Sequence, residues 1–138
     1  MNNRVLLSAL AGGVVAFLAG YLFYGILLKD FFSANSGSAT GVMKDPPELW
    51  AIAVGSLFWG LLYAMIYNRW AGIKTFKTGA IGGAWVGLLF TLSYDFISYG
   101  ANNLANMTAT LVDPLVGAVM GALVAGTVGW ALGYRQGN

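Results

Sequence analysis

The stretch DPLVGAVMGALVAGTVGWALGYR, Asp113 to Arg135, sets Gly117, Gly121, Ala125, Gly129 and Gly133 four residues apart in an otherwise apolar run. Glycine disfavours a helix in water by about 1 kcal/mol relative to alanine, so a fixed interval of small residues needs a reason. In hydrocarbon there is one. No hydrophobic force draws helices together there, and association relies on close packing, which small residues at every fourth position allow.

Composition supports hydrocarbon as the solvent. The chain has 138 residues, 58% of them hydrophobic and 9% charged, against about a quarter charged in soluble domains. Its formal net charge is +2, and the basic residues sit between apolar runs rather than on a polar stripe, which argues against nucleic acid as a partner. With no cysteine and no histidine, the chain has no thiolate chemistry, no imidazole base and none of the usual zinc sites. No metal or organic cofactor is expected.

Four segments reach the roughly 20 apolar residues that a helix needs to cross a bilayer. They are Val5 to Leu28, Leu49 to Asn68, Thr78 to Ser98 and Leu111 to Leu132. The first follows Arg4 as a signal segment would, but its apolar run exceeds the usual 7 to 15 residues, about, of a cleaved signal; it reads as a retained span. The expected fold is one all-α domain, residues 1–138, an integral membrane four-helix bundle with glycine-rich seams. Outer loops are expected at 29–48 and 99–110, and an inner loop at 69–77.

Basic residues near span ends stay in the cytoplasm. Arg4, Arg69, Lys74, Lys77 and Arg135 fall on one side without an acidic residue, whereas Lys29, Asp30, Lys44, Asp45, Glu48, Asp95 and Asp113 fall on the other. Both termini are therefore expected in the cytoplasm, in a bacterial inner membrane. Aromatic residues at both boundaries fit interfacial belts: Phe31, Phe32, Trp50, Tyr94 and Tyr99 outside, and Tyr67, Trp70, Phe76, Trp130 and Tyr134 inside. The first outer loop is rich in Ser, Gly and Asn before Pro46 and Pro47, a composition that favours mobility. The short inner loop makes spans two and three expected antiparallel neighbours. A loose match of AGGVVAFLAGYLFYG to IGGAWVGLLFTLSYD, with Tyr24 over Tyr94, raises a parallel duplication.

Every span carries a small-residue row: Gly12, Ala16 and Gly20 in the first, Ser56, Gly60 and Ala64 in the second, Gly79, Gly83 and Gly87 in the third. A row spaced by four drifts by roughly 40° per step, so the row of span four is expected to outrun any single straight partner. The rows either close the bundle internally or leave one for a homo-oligomer or a partner membrane protein.

The polar residues are few. On a helical wheel Asp95 shares a face with Ala84, Thr91 and Ser98, opposite Trp85, Leu89, Leu92 and Phe96, so it is expected to face protein. There it would pair with Lys29 or accept hydrogen bonds from Tyr or Asn. Asp113 before Pro114 fits a helix start, with Asp as N-cap and Pro at the first helical position. Asp95, Asp113, Thr91 and Asn102, with Asn103 and Asn106 nearby, form the candidate polar site, and such oxygen ligands suit a hard cation. Near the estimated midpoints of the spans, Ala16, Phe58, Leu88 and Ala122, no side chain ionises, whereas proton-coupled transporters usually carry a carboxylate at midplane. No base poised near neutral pH is legible, which argues against an enzyme. Asn106-Met107-Thr108 matches the glycosylation pattern, which a chance occurrence explains.

The end of span one, FLAGYLFYGILLKDFF, with Gly20, Phe23, Tyr24, Gly25, Phe31 and Phe32, is similar to the first span of a group of uncharacterised bacterial four-span membrane proteins, the family of unknown function seventeen sixty-one. The third span, with its spaced glycines and Trp85, resembles that family too. The resemblance implies four spans and brings no activity. The leading expectation is thus a non-enzymatic accessory or structural subunit acting through helix packing. The alternative is a passive channel or carrier for an ion or small solute, with an outer mouth near Asp95 and Asp113.

Overall fold

A computed structural model, describing residues 2–134, shows an all-helical chain with no β-strand among those residues; Arg135 lies outside them. Helix α1, Asn3–Gly20, runs on as a π-helical segment, Tyr21–Leu27, and a short α2, Lys29–Ala34, follows. Helix α3, Leu49–Ile66, also ends in a π-helical segment, Tyr67–Ala71, ahead of α4, Phe76–Ala101, and α5, Met107–Gly133. Four stretches, Asn3–Leu27, Leu49–Ala71, Phe76–Ala101 and Met107–Gly133, are long and apolar enough to cross a membrane. The chain is thus suited to be an integral membrane protein.

The helix ends follow local chemistry. The side chains of Asn2, Thr75 and Asn106 accept hydrogen bonds from the backbone N–H groups of Val5, Thr78 and Ala109, and so cap α1, α4 and α5. After α3, Gly72 takes the left-handed conformation at φ 64° and turns the chain toward α4. The Asp113-Pro114 start expected for the last helix is corrected. Asn106 begins α5 instead, its Oδ1 accepting from Ala109 N at 2.9 Å. Pro114 falls inside the helix, where its missing N–H deprives the Thr110 carbonyl of its helical donor. Asp113, released from capping, keeps its side chain for tertiary contacts.

Helix α5 is central: 56% of its most apolar stretch is buried, against 11% for α4. It packs along α4 on one side and against α1 and, less, α3 on the other, while α1 packs on α3. The core gathers Val5, Ala9, Ala16, Tyr63, Ala64, Tyr67, Val124, Ala125, Val128 and Leu132. Sequence neighbours run antiparallel, yet α3 and α4 are not the backbone neighbours that their short connection led us to expect. Long side chains bridge them: Tyr67 donates to the Gly79 carbonyl at 2.7 Å and Tyr63 to that of Gly83 at 3.4 Å. Tyr67 is therefore a buried strut at 2% exposure rather than part of a boundary belt. Exchanging the two halves of the chain would turn the α1–α5 packing into α4–α3 packing, so the contacts lack the symmetry of a parallel duplication.

Helix α4 meets α5 backbone to backbone. A Cβ built on Gly79 would stand 2.6 Å from the Ala125 carbonyl oxygen, and one on Gly129 would stand 3.4 Å from Gly79 Cα. At Gly83, Gly87 and Gly121 an added Cβ would collide with a carbonyl oxygen of the facing helix, and at Gly117 with the Thr91 side chain; at Gly133 it would collide with the carbonyl oxygen of Lys74. One partner, with the turn that leads into it, therefore follows the row of α5 from Gly117 to Gly133. A four-residue row runs inclined to its own helix axis, and a partner inclined with it stays in contact, so drift does not break the pair. In the first half, Gly12 faces Val128 and Gly60, Gly60 faces Ala9, Gly12 and Gly13, and Gly20 faces Met120. Ala16 and Ala64 are buried, and the Ser56 hydroxyl donates to the Ile52 carbonyl of its own helix.

Replacing Gly83 or Gly121 by leucine should lower stability in detergent micelles by about 3 kcal/mol, because the clash is with backbone that cannot turn aside. Gly55→Ala is the control: nothing lies within 4 Å of its Cβ position, and thermal unfolding should show no loss.

Candidate functional site

The α4–α5 register decides where the acids go. Reading along α4, Gly79, Gly83, Gly87 and Thr91 meet Gly129, Ala125, Gly121 and Gly117 in turn; Thr91 packs its Cβ and hydroxyl on Gly117. One more step of four along each helix reaches Asp95 and Asp113. The two carboxyl groups are the last rung of the row, side by side at the end of the bundle away from the termini.

Span one supplies the third group. Its π-helical segment Tyr21–Leu27 closes with Leu28 N–H donating to the Phe23 carbonyl at 2.8 Å, five residues back. The wider turn shifts the side chains away from where an α-helix would aim them. Tyr24 thereby reaches α5, and its hydroxyl donates to Asp113 Oδ1 at 2.5 Å. Phe32 of α2 packs on the Tyr24 ring, with centroids 5.4 Å apart.

A half-open cavity of about 230 Å³ is lined by Tyr24, Phe32, Asp95, Ser98, Ala105, Ala109, Thr110 and Asp113. Asp113 has the Tyr24 hydroxyl, but Asp95 Oδ2 is buried with no N–H or hydroxyl donor of the chain; the polar group beside Asp95 is the Asp113 carboxyl, with which it can share a proton. The expected pairing with Lys29 is corrected: the ion pair among the described residues is Lys44 with Glu48, on the exposed loop. Leaving a buried polar atom unsatisfied costs about 1–3 kcal/mol, and carboxylates that share a site repel each other unless a proton or cation stands between them. The cavity thus presents oxygen acceptors that no cation of the chain satisfies.

The remaining candidates divide. Thr91 lies one turn deeper, against Gly117. Asn102 ends α4; its Nδ2 donates to the Ser98 hydroxyl at 3.0 Å and its Oδ1 accepts from Leu104 N at 3.0 Å. It braces the cavity wall without lining the cavity. Asn106 is taken up in capping α5 and in donating to Asn35 Oδ1 at 3.1 Å. Sequence reasoning left Tyr24, Phe32, Ser98 and Thr110 out of the site. Ser98 was legible on the Asp95 face; the π-helical turn that delivers Tyr24 leaves no periodic signal. Among the described residues no three His, Cys, Asp or Glu side chains gather as a metal site.

The outer loop expected to be mobile is partly docked. Gly37 N–H donates to the Leu104 carbonyl at 3.1 Å, Ala39 N–H to that of Asn103 at 3.0 Å, and Asn106 N–H to that of Asn35 at 3.1 Å. No family model matches the chain, and no curated protein and no solved structure is found to be similar to it. The resemblance noted for spans one and three therefore rests on the residues quoted for it.

Removing the Tyr24 hydroxyl should cost about 1–2 kcal/mol, the range of a hydrogen bond to a charged group at a partly exposed site. A double-mutant cycle of Tyr24→Phe with Asp113→Asn, read by denaturant unfolding in micelles, should show non-additivity of about 1 kcal/mol. Additive losses would mean that the two groups do not interact.

Proposed function

We propose that this chain is a non-enzymatic four-span protein of the bacterial inner membrane, with both termini cytoplasmic. Its acid-lined cavity admits a small cation or solute from the outer face, as the mouth of a passive channel or carrier. One observation carries this reading: the buried, unpartnered Asp95 Oδ2 beside Asp113 in a cavity large enough for a ligand. A carboxylate kept only to hold helices together would have its oxygens satisfied by the chain itself. The orientation draws support from Arg4, Arg69, Lys74 and Lys77, which lie at the end opposite the cavity.

The other reading, an accessory subunit that recruits a partner through a spare small-residue seam, has less support. Gly12, Gly20, Gly60, Gly79, Gly83, Gly87, Gly117, Gly121, Gly129 and Gly133 all have neighbours within this chain. We take these rows as the seams that close the bundle. They leave the exposed surface of α4 to bulky Trp85, Leu89, Phe90 and Ile97, side chains suited to lipid.

Flux into proteoliposomes tests the proposal, with Na+, K+ and a trapped pH dye for protons as the probes. Wild type should pass at least one of them, and Asp95→Asn should reduce that flux by about tenfold, equivalent to about 1.4 kcal/mol. Absence of flux for every probe, or full flux in Asp95→Asn, would overturn it.

A further inference from the structure

The half-open cavity beside the acid pair has walls of two kinds. Asp95 and Asp113 bring its charge, while Phe32, Ala105, Ala109 and the ring of Tyr24 present carbon. The hydroxyls of the lining are already engaged. Tyr24 donates to Asp113, Thr110 donates to the Asn106 carbonyl at 2.8 Å, and Ser98 accepts from Asn102 Nδ2 at 3.0 Å. The lining thus offers acceptors and carbon but few free protons, which favours a ligand that donates hydrogen bonds.

A bare metal ion suits these walls poorly. A hard cation such as calcium gathers about six to eight oxygen ligands, and among the described residues no third His, Cys, Asp or Glu joins the pair. The volume points the same way. A space of about 230 Å³ holds about seven waters at roughly 30 Å³ each, far more than one ion fills.

An organic ion with an ammonium head and a short alkyl tail uses both walls. The head carries three N–H donors at one point, enough to reach both carboxyl groups, and stays charged at neutral pH as lysine does. Carboxyl groups that share one proton hold a single negative charge between them, which one ammonium neutralises. The tail can lie on Phe32, Ala105 and Ala109, where each buried CH2 tightens binding by up to about fourfold.

We propose that this cavity takes a short-chain primary alkylammonium ion, its head on Asp95 and Asp113 and its tail against the carbon wall. The inference rests on the reading of the cavity as a cation mouth and names the class of cation; binding can be measured whether or not any ion crosses.

The test is calorimetric titration of the full chain in lipid nanodiscs at pH 7 and constant ionic strength, with empty discs as the blank. The probes are methylammonium, propylammonium, Na+, K+ and, as the uncharged analogue, 1-propanol. Propylammonium should bind saturably, at least about tenfold more tightly than Na+ or K+ and severalfold more tightly than methylammonium, and 1-propanol should not bind. Asp95→Asn should weaken propylammonium by about tenfold. Ala105→Leu is the second variant: it fills the cavity with carbon and keeps both acids, and should abolish the preference for propylammonium over methylammonium.

No saturable alkylammonium binding, equal binding of Na+ or K+, or unchanged affinity in Asp95→Asn would overturn the proposal. So would a preference for the longer tail that survives Ala105→Leu. Binding without flux of any probe would sink the carrier reading and keep this site; flux of Na+ or K+ that excess propylammonium fails to inhibit would do the reverse.

Discussion

The approach of α4 and α5, backbone against backbone, is the contact on which the rest of the structure depends. Facing glycines bring a carbonyl of one helix to within the space a methyl group would occupy on the other. Hydrocarbon gives helices no reason to bury apolar side chains against each other, so van der Waals contact over the full helix length supplies the association. The same contact sets the register, and the register sets the chemistry. Once Gly87 faces Gly121 and Thr91 faces Gly117, Asp95 can only come to rest beside Asp113.

Two distortions complete the site, and both serve to deliver side chains. The π-helical turn after α1 swings Tyr24 onto Asp113. The start of α5 at Asn106 places Asp113 inside the helix, where its carboxyl is available to the cavity. An aspartate used as N-cap would have spent its oxygens on backbone N–H groups. Around this pair the chain provides one hydroxyl donor to Asp113, a buried oxygen of Asp95 without a donor, and no lysine or arginine within ion-pairing distance among the described residues. It is at this acid pair that the proposed function places a small cation or solute.

Much of this was legible in the residues. The four apolar runs mark the four membrane-length helices, and on the wheel face opposite Asp95 the residues Trp85, Leu89 and Phe96 are exposed while Leu92 is half-buried. What escaped was pairing information. The small rows of α4 and α5 were each visible, but only their antiparallel match shows that Asp95 and Asp113 continue them; the estimate of drift for straight helices argued against such a match. The Asp-Pro pair at 113 and 114 looked like a helix start because proline is tolerated there. Asn106, with Thr110 donating its hydroxyl to the Asn106 carbonyl at 2.8 Å, outcompeted it. The polar loop read as mobile because composition reports what a segment lacks, whereas docking depends on backbone groups that any residue carries.

The most direct test is solid-state NMR of the protein in lipid bilayers with carbon-13 at glycine Cα. Cross-peaks between Gly87 and Gly121, and between Gly79 and Gly129, are expected, because only helices in backbone contact bring those carbons together. Well-resolved glycine signals with no exchange of magnetisation between α4 and α5 would mean that the two helices stand apart, and neither the bundle nor the acid pair described above would then exist.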